Sequence, residues 1–302
     1  MDFRRLRYFV CLYEEANITR AAVKLNLVQP ALSMQIQRLE LELKLELFER
    51  TPRGVVATPA AQALYELYRP ILIDLRNANE RVMALSGKVL GKIAVGIIPS
   101  ITNSVLADAL SRFGTRFPEV DVRIDEAYSG TLIDWVANGD LDFAVVNRTR
   151  RHTGISSHAL VSEELLLVHR RRKERHRPKP IPFAELVNRK LVLPSRRHGL
   201  RMIVEQIAEE RGLSIVPKIE VDALAPTLKL VAESDLMAVL PSVVVRKAMA
   251  DAPLQATRIV DPRPSRELVY AHRTQRTLSL AASKFLEILT SELKRSLEPA
   301  HR

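Results

Sequence analysis

The stretch NITRAAVKLNLVQPALSMQIQRLE, residues 17–40, decides how this chain is read. Thr19 is placed to cap a short helix through Leu25, Asn26 and Leu27 make a turn, and a further helix starts near Gln29 and runs to about Leu43. Pro30 fits the first turn of that helix, where its missing N–H would have had no partner. At 100° per residue Leu32, Ile36 and Leu39 share one face and must pack inward. Pro30, Ser33, Met34, Gln37 and Arg38 point the other way, with Gln29 at the leading end. Two packed helices joined by a tight turn, the second with a polar outward face at its start, have the geometry of a helix-turn-helix. A glutamine amide can pair with an adenine edge, serine can donate or accept, and arginines and helix N-terminal amides can meet phosphates. An ordinary α-hairpin in a small bundle satisfies the same periodicity. The flanking RTPRGVV shifts the balance toward a winged helix-turn-helix, with Arg50 and Arg53 in the wing and Arg53 reaching the DNA backbone or minor groove. Thr19 and Arg20 complete the candidate DNA-facing set.

Outward from this stretch, Phe3, Leu6, Phe9, Val10 and Tyr13 recur at helical spacing and predict a helix over residues 3–15, in which Cys11 is a small helix residue. Pro52 and Gly54 break helix and the β-prone Val55-Val56 follows, so a short hairpin is expected. Thr58-Pro59 then opens a long helix whose stripe is Leu64, Leu67, Ile71, Leu75, Ala78 and Val82, with a kink expected at Pro70 and an end at Ser86-Gly87. A helix of this kind between two compact domains has little of its own chain to bury against, and pairing with the same helix of a second copy would cover the stripe.

Beyond Gly91 strands alternate with helices, which predicts a parallel α/β sheet. The strands expected are KIAVGII, VDVRIDEAY, LDFAVV, ELLLVH, KLVLP, PKIEV, MAVLP and ELVYAHR, with helices near 100–117, 131–138, 200–211, 225–234 and 279–297. In open α/β sheets ligands sit beyond the carboxyl ends of strands. That rule selects Ser100, Ile101 and Thr102; Tyr128, Ser129, Gly130 and Thr131; Asn147 and Arg148; and Ser195, Arg196 and His198, with Thr227 a weaker candidate. Hydroxyls and amides at helix starts suit a carboxylate or other small anion, with Arg148, Arg196 or Arg197 as the source of positive charge.

The 302 residues suffice for two or three domains, and the net charge of +11 suits a polyanionic partner. The basic run HRRRKERHRPKP, residues 169–180, reads as a solvated loop, so the charge is not a simple footprint of the DNA-reading part. One cysteine allows no internal disulfide, the N-terminus lacks the continuous apolar segment of a secretory signal, and no window is apolar enough to span a bilayer, so a cytoplasmic protein is expected. Phosphate-cradling glycine loops, nucleotide-binding glycine fingerprints, nucleophile elbows and zinc-ligand spacings are all absent; neither an enzymatic activity nor a metal or cofactor is expected.

The residues AAVKLNLVQPALSMQIQRLE followed by LFERTPRGVVATPAA resemble the N-terminal signature of the LysR-type transcriptional regulators, and GKIAVGIIPS, FPEVDVRIDE, LIDWVANGDLDFAVV and DLMAVLP extend the resemblance over nearly the whole chain. The opening MDFRRLRYFV is similar to the nitrogen-assimilation-control branch. The resemblance implies a winged helix-turn-helix in residues 1–58, a linker and dimerisation helix in 59–88, and an effector-binding α/β domain in 89–302 like a periplasmic binding protein. Its first lobe would hold about 91–162 and 267–302 and its second about 163–266, with crossing strands near Leu165–His169 and Leu268–Ala271. It implies a homodimer, commonly a homotetramer, on a pseudo-palindromic operator in double-stranded DNA, a small-molecule effector, and RNA polymerase as a candidate partner. Gln29, Pro30 and Ser33 match the family's DNA-facing positions and Arg53 its wing. Val28 replaces the usual hydroxyl cap, Met34 a basic or polar residue, and Lys44 and Ala61 common glycines. The competing readings are a cytoplasmic solute-binding protein and an enzyme with an accessory DNA-binding domain.

Overall fold

The computed structural model describes residues 2–51, 54–84, 89–148, 152–171 and 179–298. The chain divides into two compact units, Met1–Ser86 and Gly87–Arg302. In the first, α1 (Phe3–Glu15), α2 (Ile18–Lys24) and α3 (Gln29–Leu43) precede a hairpin of β1 (Phe48–Thr51) and β2 (Gly54–Ala57) and the long α4 (Pro59–Ala84). Leu32, Ile36 and Leu39 enter one core with Phe9, Leu12, Ala21, Ala22 and Leu47. Phe3, read as part of the apolar face of α1, is instead exposed. Cys11 is buried with its thiol 3.8 Å from the Ala21 carbonyl, and burial pushes that thiol's pKa up.

Local chemistry explains the helix ends. Asn17, not Thr19, caps α2: its Oδ1 accepts from the backbone N–H groups of Thr19 and Arg20, each at 3.0 Å. Its amide oxygen reaches donors two and three residues on, which lets the helix start before Thr19. Val28 stands at the cap of α3 with no side-chain hydrogen bond. Lys44 ends α3 at φ +54°, and its N–H closes onto the carbonyls of Glu40 and Leu41. That left-handed residue is where a glycine is favoured, because any Cβ crowds the following carbonyl. Glu40 Oε1 accepts from the N–H groups of Leu47 and Phe48 at 2.8 and 3.2 Å and so anchors the entry to the hairpin. Gly54 returns from the hairpin tip at φ +137°, where a Cβ would lie 2.6 Å from the Ala16 carbonyl oxygen. The next N–H, of Val55, donates to that oxygen at 3.2 Å, so the wing is stitched to the α1–α2 turn with no room for a side chain.

Thr58 Oγ1 accepts from Ala61 N–H at 3.2 Å and starts α4, which continues through Pro70. Tyr65 stacks on Tyr13 with ring centroids 4.1 Å apart, fixing the first turns of α4 on α1. Further along, Leu67, Ile71, Leu75 and Val82 are exposed. The expected end at Ser86-Gly87 lies outside the described residues.

The second unit opens with β3 (Gly91–Ile97), α5 (Pro99–Thr102), α6 (Leu106–Arg116), β4 (Val120–Glu126), α7 (Ser129–Asn138) and β5 (Phe143–Asn147). The single helix expected near 100–117 is two, because Ser104 turns its hydroxyl back to the carbonyls of Ser100 and Ile101 at 2.7 and 3.2 Å. Then come β6 (Ile155–Arg170), β7 (Ile181–Pro182), a 3-10 helix at Phe183–Asn188, β8 (Leu191–Leu193), α8 (Gly199–Glu209), β9 (Ile219–Glu220), α9 (Leu224–Glu233), β10 (Met237–Pro241), α10 (Ser242–Asp251), β11 (Leu254–Val260), β12 (Ser265–Arg273) and α11 (Leu280–Leu297). Residues 172–178 of the basic run lie outside the described residues.

The strand order is β4-β3-β5-β12-β6-β10-β8-β9, with β11 also on β6. The sheet is mixed where a parallel one was expected: β12 runs against β5 and β6, and β6 runs against β10 and β11. The 16 residues of β6 serve both lobes. They pair with β12 as far as Glu164 and with β10 from Leu165 onward. The chain therefore crosses between lobes at Glu164–Leu165 and returns just before Ser265. Leu268–Ala271, expected at a crossing, lies mid-strand in the first lobe, paired to Ala144–Asn147 of β5.

Candidate functional site

In the first unit Gln29, Pro30, Gln37 and Arg38 are exposed on α3, Met34 is 47% exposed and Ser33 is half-buried. The side chains opposite the buried stripe thus form one continuous outward face. Arg38 shares a cleft with Asp2, Arg4, Arg5, Tyr8 and Gln35, which brings the start of α1 beside α3. Arg4 adds a cation that helical periodicity did not single out, since it reads as one more surface charge. Arg5 is held by Glu42 at 2.6 Å. Thr19 and Arg20 are exposed at the start of α2. Arg20 is tied back to Glu15, 3.5 Å from its Oε2, and Lys24 bonds the other oxygen of that carboxylate at 2.7 Å. The hydrogen bond and charge of Lys24, joined by Arg20, hold the Glu15 carboxyl below its usual pKa. Arg20 is therefore partly spent on the turn. Arg50 pairs with Val55 in the hairpin, while Arg53 lies outside the described residues.

The second unit converges on the crossing between lobes. Arg266 on β12 and Glu163 on β6 are direct cross-strand partners. The guanidinium bonds Glu163 Oε1 through Nε at 2.9 Å and Nη2 at 2.7 Å, and both side chains are fully buried. Arg266 Nη1 donates to Asn147 Oδ1 at 3.1 Å and Nη2 to Ser100 Oγ at 2.9 Å. The other oxygen of Glu163 accepts from the Val243 N–H at 2.9 Å and the Ser242 hydroxyl at 3.1 Å, at the start of α10. Burial pulls the Arg266 pKa down, and the charge and hydrogen bonds of Glu163 oppose that pull. The network joins β5, α5, β12 and β6 to α10 of the second lobe.

Beside it lies a cavity of about 50 Å³ whose wall includes Ser100, His198, Asp222, Thr227 and Arg266. Asp222 Oδ1 accepts from the Ser195 N–H at 2.7 Å and Oδ2 from the Ser195 hydroxyl at 2.9 Å. The Tyr128 hydroxyl, at the end of the first lobe's β4, also donates to Asp222. Burial would raise the Asp222 pKa, but these hydrogen bonds prevail and hold it low. The His198 ring lies edge-on to Tyr128 at 5.1 Å, and its Nδ1 accepts from the Leu200 N–H at 3.1 Å. Burial lowers the His198 pKa below 6.5, with Asp222 opposing and Arg266 reinforcing that shift. Gly199 lies against Asn147: a Cβ there would be 2.8 Å from Asn147 Nδ2, so the two lobes approach closely at that point.

Of the residues expected here, Ser100, Asn147 and His198 meet at the cleft, Ser195 joins through Asp222, and Ser129 joins by accepting from the Asn147 N–H at 3.3 Å. Thr227 is buried in the cavity wall with its hydroxyl on the Ala223 carbonyl. Others point elsewhere. Ile101 is fully buried core, Thr102 hydrogen-bonds Glu126, and Gly130 and Thr131 are exposed in the first turn of α7. The expected positive charges are surface pairs: Arg148 with Glu267 and Arg196 with Glu205. Arg197 is exposed and does not line the cavity. Tyr128 meets Asp222 and His198 at the rim of this cavity, as the strand-end rule expected, whereas sequence reasoning missed Arg266, Glu163, Asp222 and Arg201. Arg201 is buried and braces the Ser195–His198 loop through Pro194 O, Glu205 and Glu220. Among the described residues no group of three or more His, Cys, Asp or Glu side chains is arranged to hold a metal.

Residues 3–62 match the family model described as bacterial regulatory helix-turn-helix protein, lysR family, and residues 86–294 match the LysR substrate binding domain. The chain belongs to the LysR family of DNA-binding transcriptional regulators, each with an N-terminal reading head and a two-lobed effector-binding domain. It is 30% identical over 292 residues to the nitrogen assimilation regulatory protein nac of Escherichia coli, covering 96% of this chain and 95% of that one. It is 31% identical to the protein of the same description from Klebsiella aerogenes, covering 99% and 97%. A full-length OxyR variant from Pseudomonas aeruginosa shares the fold at a TM-score of 0.74 and 22% identity, covering 100% of this chain and 99% of that one. Full-length CbnR complexed with its target DNA does so at 0.57 and 24%, covering 99% and 100%. These relatives are regulators, not enzymes. Among the described residues no helix is long and apolar enough to cross a membrane.

Proposed function

We propose that this regulator reads a pseudo-palindromic operator through α3 and that a small effector in the cleft between the lobes of its second unit modulates that binding. The observation that carries the first half is the outward face of Gln29, Pro30, Met34, Gln37 and Arg38 opposite the buried Leu32, Ile36 and Leu39. Side chains that need no core contact are free to meet base edges and phosphates. The cleft half is supported by Ser100, Asn147, His198 and Asp222, which different elements bring to the ends of strands, where α/β folds place ligands. An effector preferring one lobe arrangement shifts the population of that arrangement and with it the posture of the reading heads.

The exposed Leu67, Ile71, Leu75 and Val82 of α4 support a homodimer paired along this helix, and assembly into a homotetramer follows the family's habit. Such a regulator would work in the cytoplasm and contact RNA polymerase at its promoters. A gel shift on the DNA upstream of the chain's own gene tests the reading: binding there that survives excess random DNA supports it, and equal binding to both overturns it.

A further inference from the structure

We infer that the inter-lobe cleft takes an effector bearing a protonated or otherwise hydrogen-donating nitrogen, which the Asp222 carboxylate binds, rather than the simple anion that hydroxyls at helix starts suggest. The inference rests on the cleft being the effector site.

The first reason is the charge inventory of the cavity wall among the described residues. Arg266 is the only guanidinium there, and Glu163 matches it. Four of its five N–H groups are committed, two to Glu163 and one each to Asn147 and Ser100. An incoming anion would meet a neutralised cation with one N–H left. His198 spends its Nδ1 lone pair on the Leu200 N–H, which leaves a neutral ring with Nε2–H as a donor. The remaining formal charge on the wall is that of Asp222.

The second reason is how Asp222 is held. Its donors are the Ser195 N–H, the Ser195 hydroxyl and the Tyr128 hydroxyl, all neutral. No arginine or lysine among the described residues pairs with it, unlike Asp235, Glu205 and Glu267, each of which has a cation. A carboxylate offers about four acceptor positions, so one remains for a ligand. A bound ammonium would add the missing countercharge, whereas a bound carboxylate would face repulsion.

The third reason is position. Asp222 belongs to the second lobe and Tyr128 to the first, so their hydrogen bond ties the lobes at the cavity rim. A nitrogen donor at Asp222 acts on the contact that sets the opening of the cleft. Apart from Asp222, Ser100, His198, Thr227 and Arg266, the rest of the wall, including Val192, Leu200, Val239 and Val244, is apolar and suits a short aliphatic body.

The test is thermal denaturation of the full-length protein with n-propylammonium, propionamide, propionate and a panel of α-amino acids, repeated on Asp222→Asn. The amide keeps an acceptor for Ser195 N–H and loses the charge. Stabilisation by the ammonium-bearing compounds that exceeds that by propionate, and that disappears in D222N, is expected. Equal or greater stabilisation by propionate, an ammonium effect that persists in D222N, or no stabilisation by any nitrogen compound overturns the inference. Gel shifts with the same wild-type preparation keep the two readings apart. Failure on DNA with selective ammonium binding sinks the regulatory reading alone, and intact operator binding without that selectivity sinks this one alone.

Discussion

Arg266 Nη2 and Glu163 Oε1 lie 2.7 Å apart, fully buried at the point where β6 passes from one lobe to the other. Their remaining atoms are bonded to Asn147, Ser100, Ser242 and Val243, so neither charge is left bare. A buried pair is a weak source of net stability, but losing one partner strands a charge in a low-dielectric site. Glu163→Ala should therefore cost about 3–5 kcal/mol in urea denaturation. Replacing both residues with apolar side chains of similar volume should cost much less. Equal losses in the single and double variants would show that the pair is not the stabilising unit.

The ends of α3 carry two departures from favoured chemistry. Val28 has cap geometry, with φ −80° and ψ 143°, but no side-chain oxygen. Lys44 occupies a left-handed position. Val28→Ser and Lys44→Gly should each stabilise the full-length protein by about 0.5–1 kcal/mol, and Asn17→Ala should destabilise it by about 1 kcal/mol. Thermal midpoints read all three. A neutral Asn17→Ala would remove the cap assigned from the 3.0 Å contacts.

His198 gives the cleft a defined pH response. Its folded pKa lies below 6.5, chiefly through burial. Between that value and 6.5 the unfolded chain binds more protons, so stability rises with pH through this window and falls as pH drops below about 6.5. Urea midpoints at about pH 7.5 and about pH 5.5 should therefore differ more in wild type than in His198→Gln. An identical pH dependence in the two would contradict a neutral buried imidazole.

The proposed pairing along α4 rests on its exposed stripe of Leu67, Ile71, Leu75 and Val82. Leu67→Glu with Ile71→Glu should convert a dimer or larger assembly to monomer in sedimentation velocity, since both side chains are exposed within the unit and α4 contributes them to no local core. A wild-type protein that sediments as a monomer at micromolar concentration would contradict the pairing.

Much of the reading head was legible because its signals are local. The spacing of Leu32, Ile36 and Leu39, the proline in the first turn and the hairpin residues each act within a few positions. The cleft was legible only in part. Ser100, Asn147 and His198 follow from the rule about strand ends, but Arg266 and Glu163 are 103 residues apart and each reads as ordinary surface charge until the sheet pairs them. Asp222 was missed for the same reason: its partners Ser195 and Tyr128 come from other loops. The strand order hid β6 as well. Ile155–Glu163 mixes serines, a histidine and glutamate, since it forms the last strand of the first lobe's sheet, paired only with β12 there. α10 and β11 went unread because SVVVRKAMAD carries the β-prone Val243–Val245 inside a helix that tertiary packing buries.

Operator reading by α3 is tested most directly by a fluorescence-anisotropy titration of wild type and Gln29→Ala on operator and random duplexes at one salt concentration. Q29A should keep its thermal midpoint and its affinity for random DNA but lose operator preference by about 5- to 150-fold, the range expected for one lost bidentate base contact. An unchanged ratio of operator to random affinity in Q29A would contradict the assignment of α3 as the reading helix.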